Sequence, residues 1–577
     1  MTPASRTKEF FTLIENEELS KVKEENNLVY YSYKGVMFPY IKCISCSSFI
    51  GDQRGGNKTR HMKKVCMKGS DNVLPDFTED ITKLCLDTGC SFNFLTSDDF
   101  KSFVTGIVKK CRSYVDPDKI TFPSAHIIKN KITEEYGNVI NDIGAKIRPK
   151  ILNGEANLVI DFGKYFHDYL SAFIVTIDDE NATPKLRIFP FAFKSTTATK
   201  TSENKFGLSE KEILSMTLVS DGAKNLEKAA NLYFGGCEHF SNERLKCSCH
   251  LIQKISERVM DPLKSLRTSF DSNELLLLKE CSDCLDKAAH LAHVVHNRKN
   301  SLALPRLPHL YVATRWQSAV RCGRDIIQLI PSLVTAADSK VNSLALKLYH
   351  EDLATLTTVV SILEKFEPLL LLFEKSSSTI HLFLPKMNAL LKHFENLELT
   401  STNESITQVL AKSARIHLTH YLDKSISSIH AAATFLYPKT KRMMKLDKNY
   451  RDMAMDTIKT MLNELEPISP TTVSGDDLDY LDDYADPQPV DEIDQYLQDF
   501  VSPTELDDPI LYWAKNSSRY PNMSRVARKV FSIISSESVC ERSFSIVKKI
   551  VTSDRSSLKP QTVEKLMIIF FYRHELL

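Results

Sequence analysis

Apolar positions change their spacing several times along the chain, and each change marks an element. Between residues 158 and 193 three runs, LVID, YLSAFIVTID and KLRIFPFAF, read as strands, and a fourth, ILSMTLVSD, ends at Asp221. GAKNLEKAANLYF behind it carries apolar residues at helical spacing, as does most of 78–150 apart from a proline break at FPSAHII. Residues 260–465 are leucine-rich with long stretches of helical period and predict one all-helical insertion. Residues 466–499, rich in Pro, Gly and Asp, predict an acidic flexible loop. Two apolar helix faces follow: Met523, Val526, Ala527, Val530 and Phe531, then Val563, Leu566, Met567, Phe570 and Phe571. Closing a core or pairing with a second chain would satisfy either face. The pattern as a whole predicts a multidomain α+β protein, with a mixed sheet whose edge carries Asp161 and Asp221.

Composition narrows the class. A chain of 577 residues with 42% hydrophobic and 25% charged residues has material for two to four folded units. Its formal net charge is only +1, so any affinity for DNA must come from local basic patches. The start, MTPASRTKEFF, lacks the apolar run of a signal peptide, and no stretch approaches 18 uninterrupted apolar residues, so no membrane partner is expected. Thirteen cysteines, several in C-x-x-C or C-x-x-H spacing, suggest metal or packing roles in a reducing compartment.

One basic patch sits where those cysteines begin. After a tail at 1–24, residues 25–70 contain PYIKCISC and KTRHMKKVC, in which Cys43, Cys46, His61 and Cys66 have the order and spacing to close a tetrahedron around zinc. Apolar alternation before Cys43 suits a strand, and the second segment suits a short helix. Arg54, Lys58, Arg60, Lys63 and Lys64 give this unit a cationic face for double-stranded DNA phosphates. A structural knuckle without DNA affinity is the alternative. This segment resembles the BED-type zinc finger, a DNA-binding module of transposases and of host proteins derived from them.

Asp161 and Asp221 each end a strand-like run, where a carboxylate is held by a sheet and open to a divalent cation. Strand cutting through two metal ions needs a third acid. Near the C-terminus, CERSFS and DRSSLKPQTVEKL resemble the conserved end of hAT-superfamily transposases. That resemblance implies a ribonuclease-H-like α/β core in two parts, 151–259 and 500–577, interrupted by the helical insertion at 260–465 and preceded by a helical domain at 78–150. It also implies a catalytic triad of Asp161, Asp221 and Glu541 binding Mg²⁺ or Mn²⁺, dimerisation through the last region, and a nuclear location.

Further marks agree with the resemblance. VSDGAKN around Asp221 is similar to the family's D-x-x-x-N signature, through Asn225. CSCHLI supplies the C-x-x-H element as Cys247 and His250; packing of a helix start, or a zinc site with Cys237, His239 and Cys249, are further readings of that stretch. Cys281, Cys284, His290, His293 and His296 share a predicted helix, at spacings that do not let one straight helix gather several around a metal. VATRWQSAV carries the T-RW-x-S element, with Thr314, Arg315 and Trp316, where the resemblance implies contact with flanking DNA. Two departures stand beside these: Asp161 lies in VIDFGKYF without the family's Trp and Thr, and the connector KSTTATKTSENKFGLSEKEI is short and polar. Three functions fit: a transposase-derived DNA-binding regulator, an active transposase, and a structural dimer.

Overall fold

A computed structural model describes residues 19–25, 28–33, 35–44, 49–51, 77–88, 90–111, 122–165, 167–179, 183–195, 212, 215–221, 244–312, 316–465, 491–500, 508–550 and 558–574. They fall into two compact units, 1–134 and 135–577. The chain is mixed α+β and mostly helical, with two sheets. No helix among the described residues is long and apolar enough to cross a membrane.

In the first unit, β1 (Leu19–Glu25), β2 (Leu28–Tyr33), β3 (Val36–Cys43) and β4 (Phe49–Gly51) form an antiparallel sheet in sequence order. Leu28, Ile41, Cys43 and Ile50 make its small core. Cys43 ends β3 and is buried, and β4 returns beside it with Lys42 opposite Phe49. Cys46, His61, Cys66, Arg54, Lys58, Arg60, Lys63 and Lys64 lie outside the described residues. Three helices follow, α1 (Thr78–Thr88), α2 (Phe92–Leu95) and α3 (Asp98–Cys111).

The helix α4 (Ala125–Leu152) leads into the second unit and ends at Gly154, whose φ of +71° suits the left-handed turn that stops a helix. A five-stranded sheet begins there, in the order β7-β6-β5-β8-β9. β5 (Ala156–Tyr165), β6 (His167–Asp178) and β7 (Lys185–Ser195) pair antiparallel, matching the three strand-like runs. β8 (Thr217–Ser220) and β9 (Arg244–Lys246) lie parallel to β5, and β9 is too short to leave a hydrophobic pattern. The helix expected after Asp221 lies outside the described residues.

Described residues 248–463, which include the stretch expected as a helical insertion at 260–465, carry helices and no further sheet strand. They run through α5 (Ser248–Arg258), α6 (Ser272–Asn297), α7 (Trp316–Leu333), α8 (Ser339–Lys347), α9 (Leu353–Leu363), α10 (Glu367–Phe373), α11 (Ile380–Thr400), α12 (Ile406–Ser425), α13 (Ser428–Leu436) and α14 (Lys448–Asn463). One apolar cluster from Leu251 to Leu422 holds α5 to α12 together. Cys281 and Cys284 are buried in it, and the Cys284 thiol donates to the Asp352 carbonyl, so these cysteines act in packing.

The segment expected to be a flexible acidic loop contains a helix, α15 (Glu492–Gln498). Tyr496 is fully buried there against Trp513 and Tyr520, and Lys441 donates to the Tyr496 carbonyl. Glu492 also accepts from the amides of Asn522 and Met523, capping the next-but-one helix. The chain closes with α16 (Pro509–Lys515), α17 (Pro521–Phe531), α18 (Ser538–Ile550) and α19 (Pro560–His574). The apolar face of α17 is buried within the chain, as is that of α19 apart from a partly exposed Phe570; Phe571 meets Phe173 of β6 edge to face.

Candidate functional site

The parallel half of the sheet lines up the chemistry. Ile160 pairs with Ser220, and Ser220 with Lys246. One residue further along, Asp161, Asp221 and Cys247 stand in one row, just past the carboxyl ends of β8 and β9 but midway along β5, which was expected to end at Asp161 and instead runs on to Tyr165 beside β6. That edge is where open α/β sheets hold ligands. The row is anchored from behind, since the Cys247 amide donates to the Ser220 carbonyl and Arg244 donates to the Ser220 hydroxyl and the Asp221 carbonyl.

Helix α18 lies across this edge. The Cys540 thiol lies within 4.0 Å of the carbonyls of Val159 and Ser171, and the Ser171 and Ser543 hydroxyls meet at 2.8 Å. Gly163 admits the ring of Phe544; a Cβ there would sit 2.6 Å from it. The segment before α18 is fastened to the helical insertion. Ser535 meets Thr379 at 2.9 Å, Ser536 donates to the Phe373 carbonyl, and the Ser535 carbonyl accepts from the Ser248 amide.

This clamp places an acid that the sequence motifs do not single out. Glu537 precedes α18 and is 0% exposed. Its Oε1 lies 2.6 Å from Nδ1 of His250, in the first turn of α5. The contact is off the axis of a good hydrogen bond, and both Glu537 oxygens and Nδ1 are buried without a hydrogen-bond partner. Burial holds the Glu537 carboxyl above its usual range, against the pull of His250 and with the repulsion of Asp221 and Glu541. Burial opposes the charge on His250, but Cys247 and Glu537 outweigh it and hold the imidazole above its usual range. Burial also pushes the Cys247 thiol up. Asp161 is pushed up to about 7, first by burial, then by the charges of Glu537 and Asp221, although its Oδ1 accepts from the Phe162 amide.

Glu541 sits one turn further along α18, exposed, on a cleft of about 510 Å³ that it shares with His250, His309, Arg321, Glu374 and Arg542. Arg542 does not fold back on it: its guanidinium donates to the Glu374 carbonyl and the Ser376 hydroxyl. Asp161 and Asp221 are thus brought together with Glu537, whereas Glu541 stands at the outer margin of the same helix. The Cys249 thiol donates to the Leu370 carbonyl, and Cys237 and His239 lie outside the described residues. So do Asn225, Thr314 and Arg315; Trp316 begins α7.

Comparison with known proteins agrees with the C-terminal motifs. Residues 492–572 match the hAT family C-terminal dimerisation region, and residues 142–221 match a domain of unknown function, DUF8247. An uncharacterised protein of Caenorhabditis elegans, ZK1098.2, is 22% identical over 94% of this chain and 89% of its own length. Zinc finger BED domain-containing protein RICESLEEPER 3 of Oryza sativa subsp. japonica is 36% identical over 17% of this chain and 14% of its own. Zinc finger BED domain-containing protein DAYSLEEPER of Arabidopsis thaliana is 32% identical over 13% and 11%. Together these similarities give the chain an origin in the hAT superfamily.

Proposed function

We propose that the chain is a transposase-derived zinc-finger protein that binds double-stranded DNA as a homodimer or higher oligomer and acts in the nucleus, in transcription or chromatin regulation. The observation that carries this reading is the divided state of its acids. Asp161 and Asp221 stand side by side, but Glu541 is exposed beside Glu374, and the buried acid over the row, Glu537, faces His250. A two-metal strand cutter needs three carboxylates open to its ions. Zinc held by Cys43, Cys46, His61 and Cys66 would order the basic segment with Arg54, Lys58, Arg60, Lys63 and Lys64, and the strand hairpin that ends at Cys43 suits that role. Arg315 and Trp316 would add a second DNA contact. The matched dimerisation region supports self-association. A similarity of 35% over 14% of the chain to the putative transcriptional regulator tpeD of Talaromyces stipitatus supports the regulatory role.

A second reading, an active hAT-type transposase, is favoured by the row itself. A sheet of order β7-β6-β5-β8-β9, with three antiparallel and two parallel strands, agrees with a ribonuclease-H-like core. An Asp161 carboxyl pushed up to about 7 by burial and neighbouring negative charge marks a place short of positive charge, which fits a divalent cation. Asp161, Asp221 and Glu541 would hold Mg²⁺ or Mn²⁺, which supplies a polarised phosphate and an activated water or 3′-hydroxyl.

The test is DNA binding and DNA cleavage by the same protein. Wild type should bind duplex DNA, and His61→Ala should weaken binding at least tenfold by fluorescence anisotropy; equal affinity would remove the finger from the reading. With Mg²⁺ or Mn²⁺, no strand cleavage is expected. Cleavage abolished by Asp221→Ala would replace the first reading with the second.

A further inference from the structure

We infer that Cys247, His250 and Glu537 form a zinc site at the sheet edge, separate from the N-terminal finger and from the Asp161–Asp221 pair. The thiol sulfur, an imidazole nitrogen and a carboxylate oxygen lie within 4.8 Å of one another. Sulfur, nitrogen and oxygen together suit zinc, whereas Mg²⁺ and Ca²⁺ require oxygen ligands. Three protein ligands leave a fourth position open, as at zinc sites that hold a water.

A second observation, independent of the cluster, is the state of Glu537. It is completely buried, both its oxygens lack hydrogen-bond partners, and one points at His250 from 2.6 Å. A buried carboxylate without hydrogen bonds is costly unless a cation meets it. The His250 ring alone meets one oxygen and leaves the other bare. A zinc ion meets the carboxylate, the ring and the thiolate at once. Its entry would part Nδ1 and Oε1 from 2.6 Å to a ligand spacing of about 3.3 Å, a movement of about 0.7 Å.

The fold already holds the three ligands in place. Cys247 is fixed by its amide bond to Ser220, His250 lies one helical turn later, and Glu537 is clamped between Ser536 and Ser538, which are bonded to the Phe373 and Glu374 carbonyls. Zinc would therefore tie β9 and α5 to α18, joining the two parts of the sheet-bearing unit that the helical insertion separates in the chain. The inference does not depend on whether the protein cuts DNA.

The experiment is the zinc content of the full-length protein, purified without chelator and measured by inductively coupled plasma mass spectrometry. The finger contributes equally to every variant, so the quantity that matters is the difference. Cys247→Ser and Glu537→Gln should each lose one equivalent relative to wild type, while Cys249→Ser and Glu541→Gln keep the full complement. Glu537→Gln keeps the side-chain shape, which guards against loss through misfolding; circular dichroism should match wild type. An unchanged zinc content in Glu537→Gln overturns the site and leaves the contact as a plain ion pair. A deficit that also appears in Cys249→Ser and Glu541→Gln overturns it as well.

Discussion

The helical insertion and the sheet edge beside it bury polar groups on opposite terms. In the helices the buried histidines are kept neutral: His381 and His430 are both held down to about 4 by burial. His381 packs against the rings of Tyr437 and Phe531. At the sheet edge the charges of Glu537 and Asp221 bear on Asp161, and those of Asp221 and Glu541 on Glu537, beside one histidine. The first region is held by apolar contact and excludes protons. The second gathers carboxylates whose charge is relieved by a proton or a cation. Stability and chemistry are thus assigned to different parts of one unit.

The largest expected effect tests the apolar side of this contrast. Phe394 is fully buried and stacks on Phe366 at 5.6 Å, so Phe394→Ala should cost about 3–5 kcal/mol in urea unfolding. A loss under about 1 kcal/mol would mean that the block is not held by this core. Acid comes next. The folded value near 4 lies below the ordinary 6.5 for both His381 and His430, so the unfolded chain takes up protons that the folded one refuses. The stability from this source is present above about pH 6.5 and lost as pH falls toward 4. Between pH 7 and 5 it amounts to about 2 kcal/mol per histidine. Melting curves across that range should steepen in wild type and flatten in His381→Phe.

Two glycines sharpen the comparison further. Gly163→Ala would press a methyl group into the Phe544 ring at 2.6 Å and should cost about 1–3 kcal/mol by thermal melting. Gly323→Ala meets a single Val360 methyl at 2.7 Å, and alanine recovers up to about 1 kcal/mol of helix propensity, so its cost should be the smaller. Reversal of that order would place the tighter packing in the helices. The smallest effect belongs to the surface: Asp261→Asn breaks the exposed pair with Arg258 and should change stability by less than about 1 kcal/mol.

The strands at 156–178 and 185–195 were legible because short runs rich in β-branched and aromatic residues stand between polar stretches; in β6 every residue from Ser171 to Asp178 is buried, so its run is continuous. Asp221 was legible because it directly follows such a run; Asp161 was picked out by the same sign although β5 continues past it to Tyr165. Glu537 was not. Within SSESVCER it looks like an ordinary helix-start acid, and its burial depends on Ser248, Phe373 and Thr379 arriving from elsewhere in the chain. Helix α15 was hidden differently: the acidic composition of 466–499 outweighed the pair Ile493 and Tyr496, whose partners Phe435, Trp513 and Tyr520 are all remote. Periodicity reports an element's own face, while the supply of partners is a property of the whole fold.

The contact between Asn157 and Ser532 spans 375 residues, and that between Val159 and Cys540 spans 381. A ribosome therefore delivers the sheet edge long before it delivers the helix that covers it. During that interval the helical insertion, whose contacts are nearer in sequence, can fold on its own schedule and wait as a scaffold. The acids stay open to water until α18 emerges. Removing the residues from 532 onward would take away the cover while sparing the insertion, so the arrival of α18 becomes the event that closes the site.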